Sequence, residues 1–449
     1  MLRKLSLKNY KSFKELDSLE LKKLTVVVGK NSCGKSSILQ SLLLLKQTIE
    51  SKQNVALNLQ GEYLTYSSLQ EISFGKPQIN HAKITYGLET TDVFGAKTMC
   101  HFEVGNKKFT DGYQPYVSKL LLETHDGNKV NLNRKPSITK ERNFFTNAFK
   151  RASSNSEVNY NYLGTEFNAF VPTELYYAIS FGDFESNKIG FSGSAFYDYA
   201  LIHTLNSLKE SIQKIKYLSP IRATPSRDYL NYVKSPDELD HDGTNAAHVL
   251  WAKRNEIVLW KGQSYTLLEA LSESLVCMGL GQQVSPAKLG EIIYRVQVSA
   301  PNTSSHVSLA DVGFGYSQIL PIILLGLLSN RKDTILLEQP EIHLHPSSAA
   351  NLADLFLGLI EDGRSFLIET HSPELINRLR LRVIENPSLS KDINIVFVES
   401  DGENGSSIKQ FQIDEDGMFP EWPDGFLDES KKIADALIKA RMARVKDEW

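Results

Sequence analysis

Gly29-Lys30-Asn31-Ser32-Cys33-Gly34-Lys35-Ser36 lies between a short β-branched run, Leu24–Val28, and a long stretch with a wide apolar face, Ser36–Ile49. The run before it reads as a buried strand that stops at Gly29. The stretch after it carries Ile38, Leu39, Leu42, Leu43, Leu45 and Ile49 at helical spacing. The order is strand, glycine-containing loop, helix, and the eight residues match G-x-x-x-x-G-K-[ST] at every fixed position. Gly29 and Gly34 let the loop turn back so that its backbone N–H groups converge. Those groups sit at a helix N-terminus, where the dipole favours an anion. Lys35 adds a cation and Ser36 a hydroxyl that can ligate a metal.

ATP with Mg²⁺ is therefore the expected ligand pair, with Gly29, Asn31, Ser32, Cys33, Gly34, Lys35, Ser36 and Ser37 around the phosphates. Such a loop needs an acid on a neighbouring strand. Ile335-Leu336-Leu337-Glu338 ends an apolar run on a carboxylate, so Ser36 and Glu338 are the expected metal-side residues.

Outward from the loop, Leu2–Asn9 alternates apolar and polar residues and predicts a half-buried strand. Lys83–Glu89 and Thr98–Val104 predict strands, Arg151–Asn161 a loop, Tyr199–Lys216 a helix, and the proline-rich Pro220–Pro236 a loop. Regular structure returns with a helix at Gln318–Leu328, a strand at Asp333–Leu337 and a helix at Ser348–Leu359. A strand at Ser365–Glu369 and a helix at Pro373–Leu379 follow. Ile393–Glu399 and Ser407–Ile413 read as strands joined by the turn Asp401–Gly405, and the tail after Ile413 is acidic and then helical. The expected fold class is α/β, a P-loop head divided into 1–50, 51–300, 301–400 and 401–449. The second stretch holds the rest of the N-terminal lobe and a large mixed α+β insertion.

The net charge of −3 excludes a polyelectrolyte binder, while local basic patches leave nucleic acid open as a partner. Cys33, Cys100 and Cys277 are far apart and odd in number, which argues against a disulfide framework or zinc site and fits a reducing compartment. No secretory signal opens the sequence, and its longest apolar stretch, Ile319–Leu328, is far short of the roughly 20 residues of a membrane span. The expected location is cytoplasmic, with no membrane partner. No sustained heptads suggest a coiled-coil arm.

The opening Asn9-Tyr10-Lys11-Ser12-Phe13, followed by Gly29–Ser37, resembles the start of ABC-type ATPase heads of the RecF, OLD and SMC group. Glu338-Gln339-Pro340-Glu341-Ile342-His343-Leu344-His345-Pro346 resembles their Walker B and D-loop. Glu369-Thr370-His371-Ser372 is similar to the segment carrying their H-loop histidine, and Asp311–Gln318 stands in the place of their signature. Trp422-Pro423-Asp424-Gly425-Phe426 resembles the tail of one bacterial branch. The resemblance implies an ATP sandwiched between two copies head-to-tail, the P-loop of one facing Gly313, Gly315 and Ser317 of the other, with His371 at the γ-phosphate. It places His343 and His345 in the D-loop rather than in a metal site. Tyr10–Phe13 is offered either to the nucleotide or, through Phe13, to the core. Gln70 is the candidate Q-loop residue.

One position departs from the pattern. Most such heads have an acid after the Walker B carboxylate, and here Gln339 stands there. Glutamine can orient a water but cannot take its proton, so slow hydrolysis is expected, with Glu341 as a replacement base. Stand-alone heads of this size resemble the ATPase subunits of bacterial anti-phage systems such as Septu and PARIS, in which a separate HNH or Toprim nuclease is the effector. The resemblance thus implies a homo-oligomeric defence ATPase that acts as scaffold and sensor. The alternatives are a RecF-like repair ATPase and an ATP-stabilised scaffold without meaningful turnover.

Overall fold

The computed structural model describes residues 1–53, 55–91, 95–109, 112–124, 129–133, 160–163, 167–172, 176–179, 196–197, 199–224, 226–230, 238–280, 283–299, 306–311, 314–419, 433, 435–439 and 441. Among these, two six-stranded sheets enclose the P-loop helix, Lys35–Glu50. One sheet is antiparallel, in the order Phe13–Glu20, Leu2–Tyr10, Lys83–Thr91, Lys97–Phe109, Gly112–Glu123, Lys129–Asn133. The other runs Ile215–Leu218, Thr334–Glu338, Ser365–Glu369, Leu24–Gly29, Ile393–Ser400, Ser406–Phe411; its first five strands are parallel and the sixth closes a hairpin.

Alternation of side chains along the parallel strands builds two cores. Val27, Leu336, Leu367, Val396 and Val398 face the P-loop helix and the antiparallel sheet. Val26, Val28, Ile335, Leu337, Phe366, Ile368, Ile395 and Phe397 face the helices Phe314–Leu328, Pro346–Glu361 and Pro373–Glu385. Strands buried on both faces read as continuous apolar runs, which is why Ile335–Leu337 and Phe366–Ile368 are legible. The P-loop helix is covered from both sides, so its leucines at 42, 43, 44 and 45 are all fully buried. Its polar members are satisfied: Lys46 pairs with Glu50, and Gln47 holds the passing loop through Asn58 O, Leu64 O and Leu64 N.

Several boundaries differ from the sequence expectation: the strand expected at Thr98–Val104 runs Lys97–Phe109, and the loop expected at Pro220–Pro236 holds the short strand Tyr229–Leu230. The helix Tyr199–Gln213 ends early, and Ile215–Leu218 becomes the edge strand of the parallel sheet, in register with Thr334–Leu337. Pairing with an apolar strand far away in sequence overrides the local helical pattern. Phe13–Glu20 is an unforeseen strand, because a bulge opposite Leu5/Leu7 leaves Phe13, Leu16 and Leu19 buried at a period of three rather than two. The apolar helix begins at Phe314, not Gln318, and keeps Pro321 inside it. The expected loop lies outside the described residues over 151–159, as does the Trp422–Phe426 motif.

Residues 246–277 add a helix, Ala246–Lys253, a hairpin, Ile257–Trp260 with Gln263–Thr266, and a second helix, Leu267–Cys277. Thr266 and Glu269 form a reciprocal capping box that starts the second helix. The hairpin is fastened to the head by two buried charges: Gly262 N donates to Asp362, and Arg364 donates to Leu259 O and to Asp362. No helix among the described residues is long and apolar enough to cross a membrane.

Candidate nucleotide site

The P-loop folds against the end of the strand Ile393–Ser400. A Cβ at Gly29 (φ +146°) would stand 2.4 Å from Val398 O, and one at Gly34 (φ +101°) would stand 2.1 Å from Ser12 Oγ. Gly29 is required by space, against a backbone carbonyl, as well as by backbone conformation, and Gly34 by its positive φ above all. Lys35 Nζ donates to Lys30 O at 2.6 Å and Cys33 Sγ donates to the same carbonyl at 2.9 Å, which closes the loop on itself. Burial pushes the Cys33 thiol up, so it packs as a small apolar group. The helix that follows has no side-chain cap and no acid in its first turn, leaving its N–H groups for an anion. A cleft of ≈ 440 Å³ opens above, lined by Ser12, Asn31, Ser32, Gly34, Lys35, Ser36, Ser37, Gln339, Glu369 and His371.

The hairpin tip Asn9–Phe13 leans over this cleft. Tyr10 and Phe13 are wholly buried and belong to the core. Of this tip, Ser12 lines the cleft, while Lys11 is held beside it. Lys11 lies 4.6 Å over the Tyr66 ring and bonds Gln40, and burial pulls its amine down to about 8 against the pull of Glu71 and Glu338.

Behind the phosphate loop the parallel sheet ends in carboxylates. Glu338 and Glu369 are direct partners across adjacent strands. Glu369 Oε1 accepts from Ser36 Oγ at 3.0 Å, and Glu338 Oε1 accepts from Tyr217 Oη at 2.9 Å. Burial pushes Glu338 up to about 7; Tyr217 opposes, Glu369 adds to the rise, and Lys11 opposes. Burial also raises Glu369, offset by Ser36 and Lys35 and reinforced by Glu341. Burial, then the charge of Lys35, lowers His371, which favours its neutral form.

The remaining expected residues take distinct places. Gln339 sits at φ +44°, lines the cleft, and ties its backbone N to Glu369 O at 2.7 Å. Glu341 does not line it: its Oε1 accepts from the His371 backbone N at 2.7 Å, so it fastens the segment after Glu338 to the segment after Glu369. His345 caps the helix Pro346–Glu361 by accepting from Ser347 N, a structural role. Gly315 and Ser317 lie in the first turn of Phe314–Leu328 and outside this cleft, with Gly315 against His343 O and Leu344 and Ser317 only 6 % exposed. Gly313 is outside the described residues. Gln70 does not line the cleft.

Sequence reasoning passed over Glu369, Tyr217 and Arg222. Glu369 had a visible signal, since it ends a buried strand as Glu338 does. Tyr217 lies just past the expected helix, in a stretch with no strand signal of its own. Arg222 is buried and donates to Glu338 O at 3.3 Å and Gln339 O at 3.4 Å, and burial lowers it to about 10. It lay in an expected loop, and only the fold brings it under the turn at Glu338–Gln339.

An uncapped helix start, two glycines that a side chain would block, and a buried carboxylate oxygen on Glu369 with no hydrogen-bond partner among the described residues all fit a phosphate chain with a divalent cation. The chain is similar to solved SMC heads. One is an SMC head bound to the C-winged helix domain of ScpA (10% identity, TM-score 0.45, covering 92% of this chain and 98% of that one). Another is the SMC head domain from Thermotoga maritima (11%, 0.41, 92% and 99%). A third is an SMC head with an extended coiled coil bound to the C-terminal domain of ScpA derived from Pyrococcus furiosus (9%, 0.40, 97% and 99%). No curated protein matches it. A family described as a protein of unknown function (DUF3696) matches residues 390–437. The AAA ATPase domain family AAA_15 matches 1–219 and 276–376, interrupted by the inserted helix and hairpin. With a P-loop, its neighbouring carboxylates and a parallel core covered over more than half of its length, the chain belongs to the AAA_15 family of AAA ATPase domains.

Proposed function

We propose that this protein is an ATP-binding, slowly hydrolysing ATPase of the cytoplasm whose working event is nucleotide-dependent self-association. The observation that carries this reading is Gln339. It stands in the cleft beside Glu369 and His371, held at a left-handed φ by Arg222 on its carbonyl and Glu369 O on its N–H. A side-chain amide carried on that backbone can orient a water and cannot accept its proton. Bound Mg²⁺ supplies charge neutralisation at the phosphates. Lys35 places a cation beside the phosphate chain, the first-turn N–H groups bind its oxygens, and neutral His371 offers a ring nitrogen at the mouth of the cleft.

Half-buried Gly315 lies outside the cleft of its own chain, where it is free to meet the site of a second copy in the head-to-tail arrangement, whereas Ser317 is buried in its own chain. The long-lived dimer that slow turnover produces suits a scaffold or sensor. In the setting that the resemblance suggests, it governs a separate HNH or Toprim nuclease in bacterial anti-phage defence.

Gln339→Glu is expected to raise steady-state kcat by about 10-fold or more, because it restores a proton acceptor. Wild-type ATP, but not ADP, is expected to double the mass measured by light scattering. Fast wild-type turnover that neither Gln339→Glu nor Glu341→Gln alters would overturn the slow-clamp reading. Turnover stimulated by DNA in a salt-dependent way would favour repair instead.

A further inference from the structure

The strand that carries Glu369 stands between the P-loop strand and the strand that carries Glu338: Glu369 is in register with Val27 on one side and with Glu338 on the other. The carboxylate nearest Ser36 is therefore the one on the middle strand. Glu369 is 4 % exposed, its Oε1 lies 3.0 Å from Ser36 Oγ, and its buried Oε2 has no hydrogen-bond partner among the described residues. Glu338 is drawn the other way. Its Oε1 accepts from Tyr217 Oη, on the strand beyond it, and the Tyr217 ring is braced edge-on by Tyr63 with centroids 5.9 Å apart.

We propose that Glu369, not Glu338, is the carboxylate that ligates the divalent cation together with Ser36, and that Tyr217 holds Glu338 away from that position. The geometry suits the ion. Mg²⁺ takes oxygen ligands in a near-ideal octahedron at 2.0–2.1 Å, which sets neighbouring ligands about 2.9 Å apart. Ser36 Oγ and Glu369 Oε1, hydrogen-bonded to each other at 3.0 Å, are close enough to share one ion. Mg²⁺ is held by one or two protein carboxylates together with phosphate oxygens and water, so this pair needs no further acid. The inference rests on the nucleotide reading above and deepens it.

The test uses the full chain, a non-hydrolysable ATP analogue, and Mn²⁺ titrated by electron paramagnetic resonance, with analogue binding in EDTA measured separately by a fluorescent nucleotide. Glu369→Gln is expected to weaken Mn²⁺ binding by about 10-fold or more while leaving metal-free nucleotide affinity within about 3-fold, and Glu338→Gln to leave Mn²⁺ affinity within about 3-fold. Glu369→Asp keeps the charge on a shorter arm; it is expected to fall between wild type and Glu369→Gln, and it carries the test if the Gln variant does not fold. Mn²⁺ affinity unchanged in both Glu369 variants, or lost equally or more in Glu338→Gln, overturns the assignment. Failure of the wild type to bind nucleotide in EDTA or in Mn²⁺ would instead sink the nucleotide reading itself.

Discussion

Lys35→Ala is expected to weaken ATP binding by at least about 100-fold, roughly 3 kcal/mol, since it removes a charged donor to the phosphates worth about that much in a desolvated site. Lys35 is 4 % exposed and stands at the start of a helix whose first turn has no acid and no cap. Among the described residues its Nζ bonds short-range loop atoms, Lys30 O at 2.6 Å and Cys33 Sγ at 4.0 Å. The loss should therefore fall on ligand binding far more than on folding. Fluorescent-nucleotide titration alongside thermal melting separates the two. Wild-type-like affinity in the variant would remove Lys35 from the site. An equal fall in stability would show that the lysine serves the loop rather than the ligand.

Glu338→Gln is expected to stabilise the nucleotide- and metal-free protein at pH 8 by up to about 3 kcal/mol, and to leave stability near pH 4.5 unchanged. The folded pKa of Glu338 stands at about 7, above the ordinary carboxylate value of 4.5, chiefly because the group is buried. Between those values the folded protein holds a proton that the unfolded chain has released. The stability this provides is full below 4.5 and is lost as the pH rises through 7. A glutamine at this position would never carry the buried charge, and its amide oxygen can still accept from Tyr217. Urea unfolding in EDTA at pH 5 and pH 8 reads the difference. A variant less stable than wild type at pH 8, or a gain that does not depend on pH, would contradict the burial account.

Two carboxylates at one register position, Glu369 buried and Glu338 half-buried, put electrostatic stress on the end of the parallel sheet. Glu338 and Glu369 share one register position, Glu341 adds its field to Glu369, and Lys11, Lys35 and Tyr217 offset part of the repulsion. A divalent cation would offset the rest. Added metal and nucleotide should thus stabilise the wild type more at pH 8 than at pH 5, by the same linkage.

Most of the head is legible in the sequence. The P-loop, the strands on either side of it and the two C-terminal helices follow from short-range rules: a phosphate loop has one spacing, a doubly buried strand is continuously apolar, and an amphipathic helix repeats every 3.6 residues. The family resemblance, not these rules, singles out Gln339 after Glu338, where the expected slow turnover begins. The short-range rules do not locate Tyr217. It follows directly on a helical pattern, and its identity as a strand residue depends on pairing with Ile335–Leu337, more than a hundred residues away. For the same reason they do not say which acid meets Ser36. Sequence order puts Glu338 first as the metal residue, whereas strand order puts Glu369 between Glu338 and the loop. Local chemistry writes the ligand class into the chain, because a phosphate loop is made by neighbours in sequence. The division of labour among the carboxylates is written only by the sheet, because it depends on which strand lies next to which.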